Sequence, residues 1–99
     1  MRPIHLARLD KQRPVVVLTR ELVRRHLTTI TVAPITTTVR GLSTEVPVGP
    51  ANGLDAPSVV SCDNVTTIPA RVLGIQVGVL LESQERALGE AIQVAFDLF

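Results

Sequence analysis

Two stretches of this chain end a stiff apolar run with a group that can handle phosphate. Arg13 opens the run Pro14-Val15-Val16-Val17-Leu18, and Thr36, followed by Thr37 and Thr38, closes the run Ala33-Pro34-Ile35. β-Branched residues leave a strand little conformational freedom, so a guanidinium at one strand end and a hydroxyl at another can be held at fixed positions. A planar guanidinium offers several donors to phosphoryl oxygens, and a hydroxyl adds one more. A second reading stands beside this one: an arginine next to a strand often pairs with a carboxylate, here Asp10 or Asp63, and threonines are common in strands and turns.

Other chemistry is poorly represented. The chain has neither the phosphate-loop pattern G-x-x-x-x-G-K-[ST] nor G-x-G-x-x-G, H-E-x-x-H or a Cys/His cluster at metal spacing, so neither a cofactor nor a metal is expected. His5 and His26 are the only histidines; they could form an acid–base pair, but the first falls in a strand pattern and the second in an arginine-rich loop, which favours structural or surface roles. Cys62 is the single cysteine, which excludes an internal disulfide, fits a reducing compartment and reads as a small core residue. No secretory h-region or long apolar span is visible, and a cytoplasmic protein is expected.

Ninety-nine residues with 45% hydrophobic content suit one domain over residues 1–99, with a core of Val, Leu, Ile and Ala. Only Phe96 and Phe99 are aromatic, which argues against nucleic-acid binding by stacking on aromatic platforms. The formal net charge is only +1, yet residues 1–40 hold Arg2, Arg8, Lys11, Arg13, Arg20, Arg24, Arg25 and Arg40 against Asp10 and Glu21. Residues 41–99 carry the reverse excess, with Arg71 and Arg86 against seven carboxylates. If folding keeps the two sets apart, a basic groove for a polyanion results; if folding mixes them, none does.

The elements that must carry these residues are short. Ile4–Leu9 reads as a strand, Asp10-Lys11-Gln12 as a turn, and Pro14–Leu18 as a second strand. Arg20–Leu27 is a loop or a single helical turn, and Thr28–Pro34 a third strand. Residues 36–42 form an exposed connection, Ser43–Val48 a half-exposed strand, Gly49–Asp55 a turn and Ser58–Cys62 a buried strand. Asp63–Pro69 reads as a further turn, stabilised by Asp63 accepting backbone N–H groups, which leads to Arg71–Leu73. From Ser83, a plausible N-cap, the period changes: Leu88, Ala91, Ile92, Ala95 and Phe99 recur at helical steps. Strands followed by one helix predict a small, bent antiparallel sheet or barrel with the helix packed on it.

Taken together, Arg13-Pro14 with its four aliphatic followers, Ala33-Pro34-Ile35-Thr36, Ser61-Cys62-Asp63-Asn64-Val65-Thr66-Thr67-Ile68 and Leu80-Leu81-Glu82-Ser83-Gln84-Glu85 resemble the MazF/PemK toxins from Ile4 to about Leu98. The resemblance implies an α+β, mainly β fold, a small SH3-like barrel of the PemK/CcdB type with a C-terminal helix, working as a homodimer. It implies metal-independent cleavage of single-stranded RNA to 2′,3′-cyclic phosphate and 5′-hydroxyl ends, with inhibition by a cognate antitoxin. By position, Arg13 and Thr36 match the family's catalytic pair, and Lys11, Gln12, Thr37 and Arg40 are candidates for RNA contacts. The loop before Arg13 is shorter than is usual in the family, which leaves the usual loop carboxylate without an obvious counterpart. The rivals are a non-enzymatic, gyrase-directed toxin of the CcdB kind on the same fold, which has no need of a phosphate-binding pair, and an inactive nucleic-acid-binding domain.

Overall fold

The computed structural model describes residues 2–98. Its seven strands are β1 (Pro3–Arg8), β2 (Gln12–Val17), β3 (Thr29–Thr36), β4 (Glu45–Val48), β5 (Ser58–Ser61), β6 (Thr66–Pro69) and β7 (Leu73–Val79), with helices α1 (Glu21–Arg24) and α2 (Glu82–Ala95). They form one curled antiparallel sheet in the order β4-β5-β3-β2-β1-β7, with β6 added to β3. The eight-residue β3 is the spine: its start pairs with β6, its middle with β2, and Ile35 and Thr36 with β5.

The pleat explains why β2 and β3 are so apolar. Side chains alternate faces along a strand, and here both faces are covered. Val15, Val17, Ile30, Val32, Ala7 and Ile68 pack into one buried cluster, while Val16, Ala33 and Ile35 pass to the other, with Ile4, Val46, Val60, Cys62 and Leu80. Helix α2 closes that second cluster with Leu88 and Ala91, and Ala87, Ile92 and Ala95 pack at its margin. The helical face expected from Leu88 to Ala95 is therefore the one that is buried; Phe99 lies outside the described residues.

Most strand expectations hold to within a few residues, and Arg20–Leu27 contains the single helical turn α1. Three local readings change. The Asp63–Pro69 turn is a short 3-10 turn followed by β6, because Thr66–Pro69 finds the free edge of β3. The residues after Arg71 form the seven-residue strand β7, whose glycines and Gln76 blur any alternation. Helix α2 starts at Glu82, with Leu81 at the N-cap position and Ser83 inside the first turn. There the Gln84 side chain reaches back to accept the Leu81 N–H at 2.9 Å, the carboxamide half of a capping box.

Gln84 also belongs to a polar knot under the helix. Buried Asn52 donates to the Val79 carbonyl (2.9 Å) and to Gln84 Oε1 (2.6 Å), and its own Oδ1 accepts from the Gly49 N–H (3.0 Å) and Gln84 Nε2 (3.1 Å). The turn carrying Asn52 lies so close to β7 that a Cβ on Gly78 would fall 1.8 Å from the Asn52 carbonyl oxygen. Side-chain amides and missing side chains thus join the 49–53 turn, β7 and α2.

Two outcomes follow from this packing. Asn52→Ala strands the Gly49 N–H and the Val79 carbonyl and removes one partner from each end of Gln84, and should lower unfolding free energy by about 1–3 kcal/mol in urea titration; an unchanged midpoint and slope would refute the knot's role. Cys62 is wholly buried, and desolvation, aided by the nearby Asp63 charge, pushes its thiol up to about 11. The native protein at pH 8 should label with a disulfide reagent only at its unfolding rate, and prompt stoichiometric labelling would contradict this.

Candidate active site

Strand phase brings the proposed pair together. The β2–β3 ladder pairs Val15 with Pro34, Val16 with Ala33 and Val17 with Val32. Beyond it β3 passes to β5, and Arg13 and Thr36 each lie two residues past the last pair of this ladder. By the pleat, Arg13 shares a face with Val15 and Val17, and Thr36 shares that face with Ile30, Val32 and Pro34. Both line one open cleft of about 850 Å³ at this end of the sheet. Lys11, Gln12, Thr37 and Arg40 line it too, so all six residues singled out from the sequence meet on one surface.

Of the two carboxylates that could partner Arg13, the structure selects Asp10. The contact is two-pronged: Nε donates to Oδ1 at 3.0 Å and an Nη2 hydrogen to Oδ2 at 3.2 Å. The turn between β1 and β2 is short enough for a residue three positions back to bracket the guanidinium edge-on. The hydrogen bonds from Arg13, helped by the Lys11 backbone N–H, hold the Asp10 carboxyl down at about 2, and the same contact raises Arg13 above its ordinary value. Two of the five guanidinium donors are thereby committed, and the Nη1 edge and the second Nη2 hydrogen remain for another ligand. Asp10 is thus the carboxylate that the short turn sets against Arg13.

Thr36 is also oriented. Its Oγ1 accepts the Thr38 backbone N–H at 3.1 Å, a local turn that uses a lone pair and leaves the hydroxyl hydrogen free to donate. Thr36 is anchored from behind, where it pairs with Val59 of β5. Asp63 does not accept backbone N–H groups in its own turn as expected; it accepts the Thr44 hydroxyl at 2.6 Å and ties the end of the 37–44 connection to the turn after β5.

Glu45, which sequence reasoning passed over, shapes the far wall. Its carboxylate accepts the Arg40 N–H at 3.1 and 3.2 Å and the Leu42 N–H at 3.1 Å, around Gly41, whose φ of +74° suits glycine. One carboxylate therefore fixes the loop bearing Arg40. No spacing rule announces a glutamate that serves backbone groups up to five residues earlier.

The charge asymmetry of the two chain halves does not produce a uniformly basic cleft. Its lining contains Lys11, Arg13 and Arg40, but also Asp10, Glu45 and Asp63. Each of these carboxylates is engaged, by Arg13, backbone N–H groups and Thr44 respectively. Arg24 and Arg25 border a separate concavity with Glu21 and Leu22 on and beside α1. His5 and His26 do not line the cleft. Among the described residues no group of three or more His, Cys, Asp or Glu side chains is arranged to hold a metal ion, and no helix is long and apolar enough to cross a membrane.

Known proteins share both the sequence and the fold. "Endoribonuclease MazF3" of Mycobacterium tuberculosis (strain ATCC 25618 / H37Rv) is 71% identical over 98 residues, covering 99% of this chain and 95% of that protein. "Probable endoribonuclease MazF5" of the same strain is 39% identical over 87 residues, 87% of this chain and 80% of its own length. The solved Mycobacterium tuberculosis toxin MazF-mt6 superposes with a TM-score of 0.96 at 70% identity over 98% of each chain. The profile of the PemK-like, MazF-like toxins matches residues 4–96, from β1 to the end of α2, and so takes in both strands that carry Arg13 and Thr36. This chain belongs to that family, the PemK-like, MazF-like toxins of type II toxin–antitoxin systems.

Proposed function

We propose that this MazF-type endoribonuclease toxin cuts single-stranded RNA in the Arg13–Thr36 cleft, without a cofactor, to 2′,3′-cyclic phosphate and 5′-hydroxyl ends. Two relatives, at 71% and 39% identity, are named endoribonucleases, which favours the enzyme over the gyrase-binding alternative. The reading is carried by one observation: a guanidinium held edge-on by Asp10 lines the same cleft as a hydroxyl with its proton free.

In the proposed reaction the RNA 2′-oxygen attacks phosphorus, the 2′-O–P bond forms and the P–5′-O bond breaks. The 2′-hydroxyl proton passes to solvent and the departing 5′-oxygen takes one up. Charge grows on the phosphoryl oxygens on the way to the transition state, and the free donors of Arg13 and Thr36 bind it more tightly there than in the ground state. Arg13 acts by electrostatic stabilisation, since its proton is held even more firmly than in a free guanidinium. Asp10 fixes the direction of those donors, and its depressed carboxyl is a poor proton acceptor. Lys11, Gln12, Thr37 and Arg40 contact backbone and bases along the cleft. The whole chain is read as one toxin domain, acting as a homodimer in the cytoplasm. A cognate antitoxin with a disordered acidic tail would occupy the same cleft and compete with RNA.

Purified protein incubated with a long RNA in EDTA should give discrete cuts ending in cyclic phosphate. Arg13→Ala and Thr36→Val should each lose roughly 10²–10³-fold in kcat, the usual worth of one transition-state donor, and Asp10→Asn should lose on the order of 10–100-fold through a misaimed guanidinium. Folded Arg13→Ala that cuts at the wild-type rate would overturn the assignment. The pH dependence is also set: Asp10 is depressed, so the ion pair is complete above its ordinary range near 3.8 and is lost only as pH falls toward about 2. Between about pH 5 and 9 no inflection in kcat/KM should come from this pair; an inflection in that range that disappears in Asp10→Asn would contradict it.

A further inference from the structure

The β1–β7 edge of the sheet carries a second concavity. It measures about 300 Å³ and is lined by Leu6, Ala7, Gln12, Val72, Gly74 and Ile75. Gln12 lines the larger cleft as well, so the two spaces adjoin across its side chain.

The slot exists because β1 and β7 fall out of step. Their ladder pairs Ile4 with Gly78, His5 with Gln76 and Ala7 with Leu73, so β7 contributes an extra residue at each of two successive steps. At the second step Leu6 alone faces the pair Gly74 and Ile75, which is a β-bulge. All three residues line the slot. His5 Nδ1 donates to the Gly74 carbonyl at 2.8 Å and braces the bulge from the side. Gly74 lets β7 come close to β1 at the bulge, since a Cβ there would stand 3.0 Å from the Leu6 carbonyl oxygen. Ile75 stands at the rim 70% exposed, an apolar side chain that the fold itself does not use.

Arg8 is the cross-strand partner of Gln12 and lies two residues from Leu6 on the same strand, on the slot's side of the pleat. Past Gln12 the slot adjoins the cleft that Lys11, Arg13 and Arg40 line. An apolar slot beside a cleft that carries free guanidinium donors suits a planar heterocycle attached to phosphates.

We propose that the slot is a nucleobase subsite, which takes the base of a nucleotide adjoining the scissile phosphate. Leu6, Val72 and Ile75 cover the base face with aliphatic surface, and the Gln12 carboxamide, with donor and acceptor at one tip, reads its edge at the passage between slot and cleft. The proposal rests on the ribonuclease reading and adds to it a determinant of which sequences are cut. Exclusion of water from a small apolar site makes one missing group worth on the order of tenfold or more in discrimination.

The test uses a synthetic single-stranded RNA pool with randomised positions, cleaved by the full chain and read by sequencing the new ends. Wild type should show a base preference at one position beside the cut that flattens on the order of tenfold in both Ile75→Ala and Gln12→Ala, with preferences at other positions kept. On a single preferred oligonucleotide KM should rise in both variants while kcat changes far less. Ile75 is exposed, so its variant should keep the wild-type melting temperature. Preferences and KM unchanged in both folded variants would overturn the subsite. So would Ile75→Ala shifting the protein from dimer to monomer in sedimentation, which would make the slot a contact between copies. Loss of antitoxin affinity with unchanged RNA cleavage would assign it to a protein partner and overturn it equally. Wild-type protein that cuts no member of the pool would sink the ribonuclease reading itself, a result distinct from all of these.

Discussion

The pairing of β2 with β3, and the burial of both faces of that pair, is the constraint on which the site depends. Valines 15 and 17 point into one cluster and Val16 into the other, so a one-residue slip would exchange every side chain between faces that are both closely packed. Register is therefore held by the core. Arg13 and Thr36 each lie two residues beyond the last pair of that ladder, and both line the cleft. The sheet thus brings a guanidinium and a hydroxyl to one cleft through residues that do no chemistry themselves.

Carboxylates take up the finer positioning. Asp10 commits two guanidinium donors and leaves the others directed outward, and Glu45 gathers the N–H groups of Arg40 and Leu42 to set the opposite wall. Asp63 ties that wall to the turn after β5 through Thr44. These contacts give the cleft balanced formal charge, with directed donors in place of a diffuse positive field. Such a site stabilises charge at chosen points, which transition-state binding requires more than steering does. The β1–β7 slot adjoins the same surface across Gln12.

The sequence carried different parts of this arrangement with different clarity. Strands β1, β2, β3 and β5 were legible because continuous or alternating apolar residues obey a period of two, and α2 because Leu88, Ala91, Ile92 and Ala95 obey a period near 3.6. Strand β7 was not, since Gly74, Gly78 and Gln76 interrupt its pattern: the glycines are required by the 49–53 turn and by the bulge, contacts distant in sequence. Strand β6 read as a turn because Thr66 and Thr67 are exposed, and only the free edge of β3 makes them a strand. Residue type and strand position singled out Arg13 and Thr36 but left a structural reading beside the functional one, and the family resemblance made them a pair. The choice of Asp10 over Asp63 as the arginine's partner, and the work of Glu45, depended on loop geometry that no local pattern encodes. The cleft of one chain carries both signs of charge, because a count of charges by chain half does not say which face of a strand each charge occupies.

The central claim is that Arg13 and Thr36 act on one phosphate in one step. A double-mutant cycle on single-turnover cleavage of one RNA substrate, comparing Arg13→Ala, Thr36→Val and the double variant, measures this directly. If both donors serve the same transition state, the double variant should cut hardly more slowly than the worse single one, since removal of either already disables the shared site. Losses that multiply in full would show two residues working independently and would contradict the account.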